Sequence, residues 1–237
     1  MHDPNLNDLF YDTDCLSATA RQLNLEFRKF PLNYNYNYFS ILNVNIRSLP
    51  KNFPNLVCFL PQIKLRFTLI AVTETWLSDD DNGLYSLTGY NHVSLNRKGR
   101  GGGIRIYFSQ ELNVNILETL TGIFNSHESL SVEILMPSMG NLNVIAVYRP
   151  PSKHISGFNT FIHTEFFQRF YKPTMKYILT GDINIHYNES NTYESTHVSD
   201  YYSYFQSHLF KFHITNATRL SDTDMKETLR SITLGAI

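Results

Sequence analysis

The chain has 237 residues, of which 42% are hydrophobic and 17% are charged, and its formal net charge is −1. This composition is typical of a globular protein with a substantial core and excludes a disordered chain. The small net charge argues against a uniformly basic nucleic-acid coat, although it permits a local basic cleft. The first residues lack a basic start followed by an apolar core, and no apolar run reaches transmembrane length. We therefore predict an intracellular protein of the nucleus or cytoplasm that does not associate with a membrane.

The first 38 residues are predicted to be an N-terminal extension of the domain. Residues 16–30 have hydrophobic side chains at helical spacing, and Pro31 would end that helix. Residues 33–38 alternate asparagine with tyrosine, which favours a flexible linker or an edge strand over a surface for stacking bases. We expect the extension to be partly helical or flexible and the domain to span residues 39–237.

Two buried strands begin the domain, and each ends in a polar side chain. Residues 39–46 form the first predicted strand, with Asn45 near its end. An irregular helix, interrupted by prolines, follows over about residues 50–67. Residues 68–73 form the second strand, and Glu74 follows it directly. A glutamate at this position is usually a solvated side chain, so by itself it does not predict a catalytic role.

A basic, glycine-rich segment follows at residues 97–103 and carries Arg97, Lys98 and Arg100 among its glycines. It does not match a phosphate-cradling loop, because no Gly-Lys-Ser/Thr follows and the next element, residues 104–108, is a predicted strand. One interpretation is a flexible basic hairpin that contacts a phosphate backbone. The other is a mobile turn with solvated charges, and the sequence fits both.

Two further strands are predicted at residues 130–135 and 142–147. The second leads directly into Tyr148 and Arg149, which two prolines follow. The end of this strand therefore presents an aromatic hydroxyl and a cation on a stiff segment of chain.

Residues 177–185 contain an apolar run that Thr-Gly breaks, followed by Asp182 and Asn184. In an extended segment these two side chains share a face. They would then stand at the carboxyl end of a buried strand, where α/β proteins tend to bind ligands. A plain strand followed by a turn fits the same residues. The aromatic helices predicted on either side, at residues 154–171 and 198–212, are typical of core packing.

The order of these elements predicts an α/β fold with two packed sheets and helices outside them. If the polar strand ends converge, their carboxylates could bind a hard divalent cation and activate water, and their amides could contact phosphate oxygens. Those are the parts that metal-assisted hydrolysis of a phosphodiester needs.

Six short motifs occur in one order with regular gaps, and each is weakly specific by itself. They are Asn45-Ile46-Arg47-Ser48-Leu49, Glu74-Thr75-Trp76-Leu77, Gly89-Tyr90, Gly99-Arg100-Gly101-Gly102-Gly103, Val147-Tyr148-Arg149-Pro150-Pro151 and Gly181-Asp182-Ile183-Asn184. Together, over about residues 39–219, they resemble the endonuclease/exonuclease/phosphatase superfamily. Within it, the resemblance is to the apurinic-type endonuclease domain of non-LTR (LINE-type) retrotransposons.

The resemblance implies a DNase I-like, four-layer α/β sandwich that nicks DNA with Mg²⁺, or Mn²⁺ as a substitute, and uses no small-molecule cofactor. By motif, Glu74 and Asn45 resemble the metal-binding residues, Asp182 the water-activating acid, Asn184 the support of the attacked phosphate, and Tyr148 a phosphate contact. In a retroelement the nick would release a 3′-hydroxyl that primes reverse transcription. The expected DNA contacts come from five basic side chains: Arg47, Arg97, Lys98, Arg100 and Arg149.

The end of the chain departs from this family pattern. The family continues with a strand carrying Asp-His and then a terminal Ser-Asp-His motif, whereas residues 229–237 read Leu-Arg-Ser-Ile-Thr-Leu-Gly-Ala-Ile. We therefore expect a C-terminally truncated domain, with its last strands missing and with weak or no nicking activity. Two alternatives stay open: a non-catalytic remnant that binds nucleic acid, and a phosphatase or phosphodiesterase of the same fold that acts on small phosphate esters.

Overall fold

Eight stretches of the chain are described by a computed structural model: residues 39–63, 66–81, 83–99, 101–136, 140–186, 192–208, 210 and 228–230. The predicted N-terminal extension lies outside these residues, and so does most of the segment after residue 210. The division into an extension and a domain therefore stays a prediction.

The first sheet contains four strands in the order β1-β2-β4-β3. They are β1 (Ile41–Asn45), β2 (Leu69–Thr73), β3 (Tyr90–Leu95) and β4 (Ile104–Ser109). Among the described strands of this sheet only β1 and β2 pair in parallel, and parallel strands need a crossover between them. Helix α1 (Leu49–Phe59) and a 3₁₀ turn (Leu60–Gln62) supply it. The predicted helix is shorter than expected, because its last residues form this turn and the approach to β2.

The second sheet has the order β10-β9-β8-β7-β5, and β6 pairs with β7. Its strands are β5 (Asn113–Ile116), β6 (Gly122–Ile123), β7 (Glu128–Leu135), β8 (Leu142–Tyr148), β9 (Lys176–His186) and β10 (Thr228–Arg230). The parallel pair here is β8 and β9. Helix α2 (Ile155–Thr160) and the π-helix Phe161–Phe170 connect them, and helix α3 (Thr192–Ser207) follows β9. Two short 3₁₀ helices, Asp79–Asp81 and Glu118–Leu120, lie in connections.

Three hydrophobic clusters define the layers of the fold. The central cluster packs the two sheets face to face, with residues such as Ile41 and Ile106 against Val132 and Val144. The second lies between the first sheet and α1, and the third lies between the second sheet and the aromatic helices. This helix–sheet–sheet–helix arrangement confirms the predicted four-layer α/β sandwich. No described helix is long and apolar enough to cross a membrane.

Strand β9 differs from the prediction, which ended the buried strand before Thr180-Gly181. The strand continues to His186, so Asp182 and Asn184 lie inside a paired strand rather than after it. Gly181 makes this possible, since its φ is +134° and a Cβ there would lie 1.9 Å from the Val147 carbonyl oxygen. The glycine permits close approach of two strands here and does not form a turn.

Candidate active site

One asparagine side chain connects the two sheets at the ends of their strands. Asn45, the last residue of β1, donates through Nδ2 to Glu74 Oε1 at 2.7 Å and to Asp182 Oδ2 at 2.5 Å. Glu74 follows β2 in the first sheet, whereas Asp182 lies on β9 in the second and is only 1% exposed. The structure thus brings together three of the predicted site residues. An amide that donates to two carboxylates holds both acids close to a single point.

The backbone beside this junction is strained. Arg47, Ser48, Glu74 and Trp76 all have positive φ values, of 45°, 88°, 55° and 56°. Each such conformation costs roughly 1–3 kcal/mol for a residue other than glycine. The two segments restrain each other, because Ser48 N–H donates to the Glu74 carbonyl oxygen at 2.8 Å. Clustered strain of this kind is characteristic of functional sites, where structure around the site maintains it.

Tyr148 lies at the end of β8, paired with Asp182 in the parallel register, and is 6% exposed. Burial, and then the negative charges of Glu74, Asp182 and Glu128, raise the pKa of Tyr148 well above its ordinary value. The phenol is therefore protonated at neutral pH and acts as a hydrogen-bond donor.

Arg149 has a structural position that corrects the expectation of a DNA contact. Its side chain is 5% exposed, and Nε donates to the Ile183 carbonyl oxygen at 2.6 Å. The two remaining guanidinium nitrogens donate to the carbonyl oxygens of Lys153 and Asn184. Asn184 returns a bond from its Nδ2 to the Arg149 carbonyl oxygen at 2.8 Å. Arg149 therefore fixes the loop after β8 to β9, which also sets the position of Asn184.

The other predicted basic contacts lie around the carboxylates. Arg47 is half-buried, and its backbone N–H donates to Asn45 Oδ1 at 3.3 Å. Arg97 has a side chain that is 41% exposed, with Nη1 3.4 Å from Glu128 Oε1. Lys98 is exposed, and Arg100 lies outside the described residues. A role in DNA binding stays a prediction for all four.

Sequence reasoning missed two residues of the site, Glu128 and Asn43. Glu128, on β7, lies directly opposite Tyr148 on β8 and is 2% exposed. Burial raises the pKa of its carboxyl, and the bond from the Gly103 amide and the charge of Arg97 oppose that effect. Asn43 donates from Nδ2 to the Gly181 carbonyl oxygen at 3.1 Å, across the sheets. Only strand pairing reveals Glu128, whereas Asn43 precedes Asn45 by two residues and so shares its face.

The donor set fits Mg²⁺. Within the described stretches there is no cluster of three or more His, Cys, Asp or Glu side chains that could hold a metal ion. Mg²⁺ typically takes only one or two carboxylates and keeps several waters, so Glu74 is sufficient as its carboxylate ligand. Asn45 now presents its amide nitrogen to both acids, so its amide would have to turn over to offer Oδ1 to a cation.

Comparisons with known proteins identify a shared fold. No family model matches the sequence, and no curated protein sequence matches it. Among solved structures, the endonuclease domain of TRAS1, a telomere-specific non-LTR retrotransposon, has a TM-score of 0.51 at 12% identity, covering 81% of this chain and 82% of that one. An AP endonuclease from Archaeoglobus fulgidus has a TM-score of 0.48 at 16% identity, covering 72% and 70%. A 3′-5′ exonuclease from Neisseria meningitidis has a TM-score of 0.46 at 15% sequence identity, and the match covers 76% of this chain and 78% of that one. The two mixed sheets with flanking helices therefore form a DNase I-like fold.

Proposed function

We propose that this chain is a Mg²⁺-dependent endonuclease-type domain of retrotransposon origin, which hydrolyses phosphodiester bonds in DNA. The observation that carries this proposal is the junction at which Asn45 bridges Glu74 and Asp182, with Tyr148 paired beside Asp182 at the end of β8. The choice of DNA and the retroelement origin are supported by the six sequence motifs together with the fold shared with the TRAS1 endonuclease domain.

The side chains divide the chemistry among them. Glu74 and Asn45 would hold Mg²⁺, which when bound supplies positive charge that stabilises a developing anionic phosphate. Asp182 accepts a proton from the attacking water as a general base. Tyr148, kept protonated by its surroundings, donates a hydrogen bond to a phosphate oxygen. Asn184 donates one hydrogen of its Nδ2 to the Arg149 carbonyl oxygen, and in this proposal it donates the other to a phosphate oxygen.

Substrate binding in this proposal depends on backbone phosphates rather than on bases. Arg47 lies next to the carboxylate junction, and Arg97 and Lys98 lie on the glycine-rich hairpin beside it. Cations at these positions contact phosphates in any DNA sequence, so they position the duplex without reading it.

Conversion of supercoiled plasmid to open circles, with Mg²⁺ or Mn²⁺, tests the proposal. Protein is used in excess over plasmid, so that a single turnover is detected. Asp182→Asn should lower the rate by about 10²–10⁴, the usual contribution of a general base. Asp200→Asn, in α3 with its side chain 46% exposed, is the matched control and should nick at the parental rate.

Each alternative gives a different result in the same preparation. Equal nicking by the Asp182→Asn variant and the parent would remove Asp182 from the reaction and refute the proposed site. Asp182-dependent hydrolysis of a small phosphate ester without nicking would favour the small-ester enzyme. Salt-sensitive DNA binding without either reaction would favour the non-catalytic remnant.

A further inference from the structure

The glycine-rich hairpin lies between Glu128 and the segment that follows Glu74. On one side, the carbonyl oxygens of Gly102 and Gly103 accept bonds from Trp76 N–H at 2.9 Å and Thr75 N–H at 3.2 Å. On the other side, Gly103 N–H donates to Glu128 Oε2 at 2.6 Å. A continuous series of hydrogen bonds therefore leads from Glu128, through two glycines, to the two residues that follow Glu74.

Both glycines are required for this close approach. A Cβ on Gly102 would lie 2.3 Å from Glu128 Oε1, and a Cβ on Gly103 would lie 2.4 Å from Thr75 Oγ1. Their φ values, +72° and +85°, are also ones that other residues rarely adopt. By contrast, a Cβ on Gly101 at φ +90° would meet nothing within 4 Å. The close packing is thus specific to the two glycines that contact Glu128 and Thr75.

We propose that Glu128 is a positioning residue, which fixes the backbone of Glu74 by anchoring Gly102 and Gly103. The inference deepens the proposed function and rests on it, since Glu74 is the residue that would hold the metal. Glu128 acts through the hairpin, and Arg97 supplies the opposing charge at 3.4 Å. A buried carboxylate is tolerated where hydrogen bonds and an opposite charge compensate its lost hydration, and both are present here.

The proposal explains how Glu74 keeps a strained conformation. Its φ of 55° persists only when the surrounding structure determines it. Ser48 N–H restrains the Glu74 carbonyl oxygen from the side of β1, and the glycine pair restrains Thr75 and Trp76 from the side of β4. If Glu128 is removed, the second restraint loses its anchor, so the Glu74 segment should open more often.

Hydrogen exchange measures both ends of this series without any need for catalysis. Amide exchange at Gly103 reports the anchor, and exchange at Ser48 reports the Glu74 segment. Acrylamide quenching of Trp76, the single tryptophan of the chain, reports the hairpin contact independently. Glu128→Ala should speed exchange at Gly103 by about tenfold to a hundredfold, as loss of a hydrogen bond to a charged group does. It should also speed exchange at Ser48 and raise the quenching constant of Trp76.

Matched variants separate positioning from general loss of stability. Glu133→Ala, on the same strand with Asn141 as its partner, should leave all three readouts unchanged. Glu128→Gln keeps an acceptor of the same length, so it should restore most of the Gly103 protection that Glu128→Ala loses. Gly102→Ala should reproduce the Glu128→Ala response from the other side of the contact, whereas Gly101→Ala should not.

Unchanged Gly103 exchange in both Glu128→Ala and Gly102→Ala would overturn the anchor. Faster exchange at Gly103 with unchanged exchange at Ser48 would show that the Glu128 anchor does not restrain the Glu74 segment, and would overturn the positioning role. A parent chain that fails to nick plasmid, yet shows the expected exchange pattern, would refute the proposed function and leave the positioning role supported.

Discussion

His127, the residue before β7, lies inside an aromatic cage. Its ring centroid is 4.7 Å from that of Phe124, 5.0 Å from Phe158 and 4.2 Å from Phe161. Ser126 Oγ lies 2.9 Å from Nδ1, and Nε2 has no hydrogen-bond partner in the described part of the chain. An aromatic ring attracts a cation by roughly 0.5–2 kcal/mol. Loss of hydration dominates, because burial lowers the pKa of His127 to about 4.

This shift makes the folded state sensitive to acid in a defined window. The unfolded chain protonates this histidine below about pH 6.5, whereas the folded chain does so only near pH 4. Between the two values the unfolded state binds the extra proton, so stability falls as the pH falls. From about pH 7.5 to about pH 5 the loss should be about 2 kcal/mol, at 1.36 kcal/mol for each unit of pKa difference. Glu128 contributes with the opposite sign, because its raised pKa favours the folded state as the pH falls.

Urea unfolding of the parent and of a His127→Phe variant, at both pH values, isolates the histidine. We expect the free energy of unfolding of the parent to fall by about 2 kcal/mol more than that of the variant. His154→Gln, at an exposed histidine, is the control and should follow the parent. If His127→Phe and the parent lose equal stability, the cage does not exclude the proton and the argument fails.

Three other variants test the site and the strands that support it. Glu74→Gln should weaken Mn²⁺ binding in calorimetry by at least about tenfold, because loss of even an outer partner of a metal ligand does so; equal affinity would remove Glu74 from the metal site. Gly181→Ala should lower the free energy of unfolding by about 4 kcal/mol or more, since its Cβ would overlap the β8 backbone, whereas Gly83→Ala, with open space around it, should have a small effect. Replacing Arg97 and Lys98 together by glutamine should reduce the slope of log affinity for DNA against log salt by about two, and an unchanged slope would exclude both from phosphate contact.

The sequence predicted the layers better than it predicted the contacts within the site. Apolar runs with clear ends identified β1, β2 and β8, and with them the positions of Asn45, Glu74 and Tyr148. The structure brings these side chains together with Asp182, and their chemical roles stay predictions. Strand β3 was not predicted, because its residues are half-buried or exposed and it lacks a continuous apolar run. In the sequence, Gly181 indicated the end of a strand. In the structure it lies within β9 and allows the β8 backbone to approach closely, which only the pairing of the two strands reveals.

Arg149 and Glu128 show why local sequence could not supply the rest. Arg149 is a cation at a strand end followed by two prolines, and this local sequence favoured a phosphate contact. Its burial depends on carbonyl oxygens of β9, more than thirty residues away. Glu128 likewise acquires its neighbours through pairing with β8 and packing against the hairpin. Such residues are defined by tertiary contacts, which a reading of short segments does not contain.

Asn43 connects the first sheet to the Gly181 carbonyl oxygen of the second, directly before Asp182. The site is therefore shared between two halves that are far apart in the chain, and neither sheet alone contains both Glu74 and Asp182. A small separation of the sheets would pull the carboxylates apart while each sheet kept its own ladder of hydrogen bonds. Warming or mild denaturant should consequently abolish the proposed nicking activity before the far-ultraviolet circular dichroism changes. By the same reasoning, a small molecule bound between the sheets, away from the proposed substrate site, should inhibit the proposed reaction.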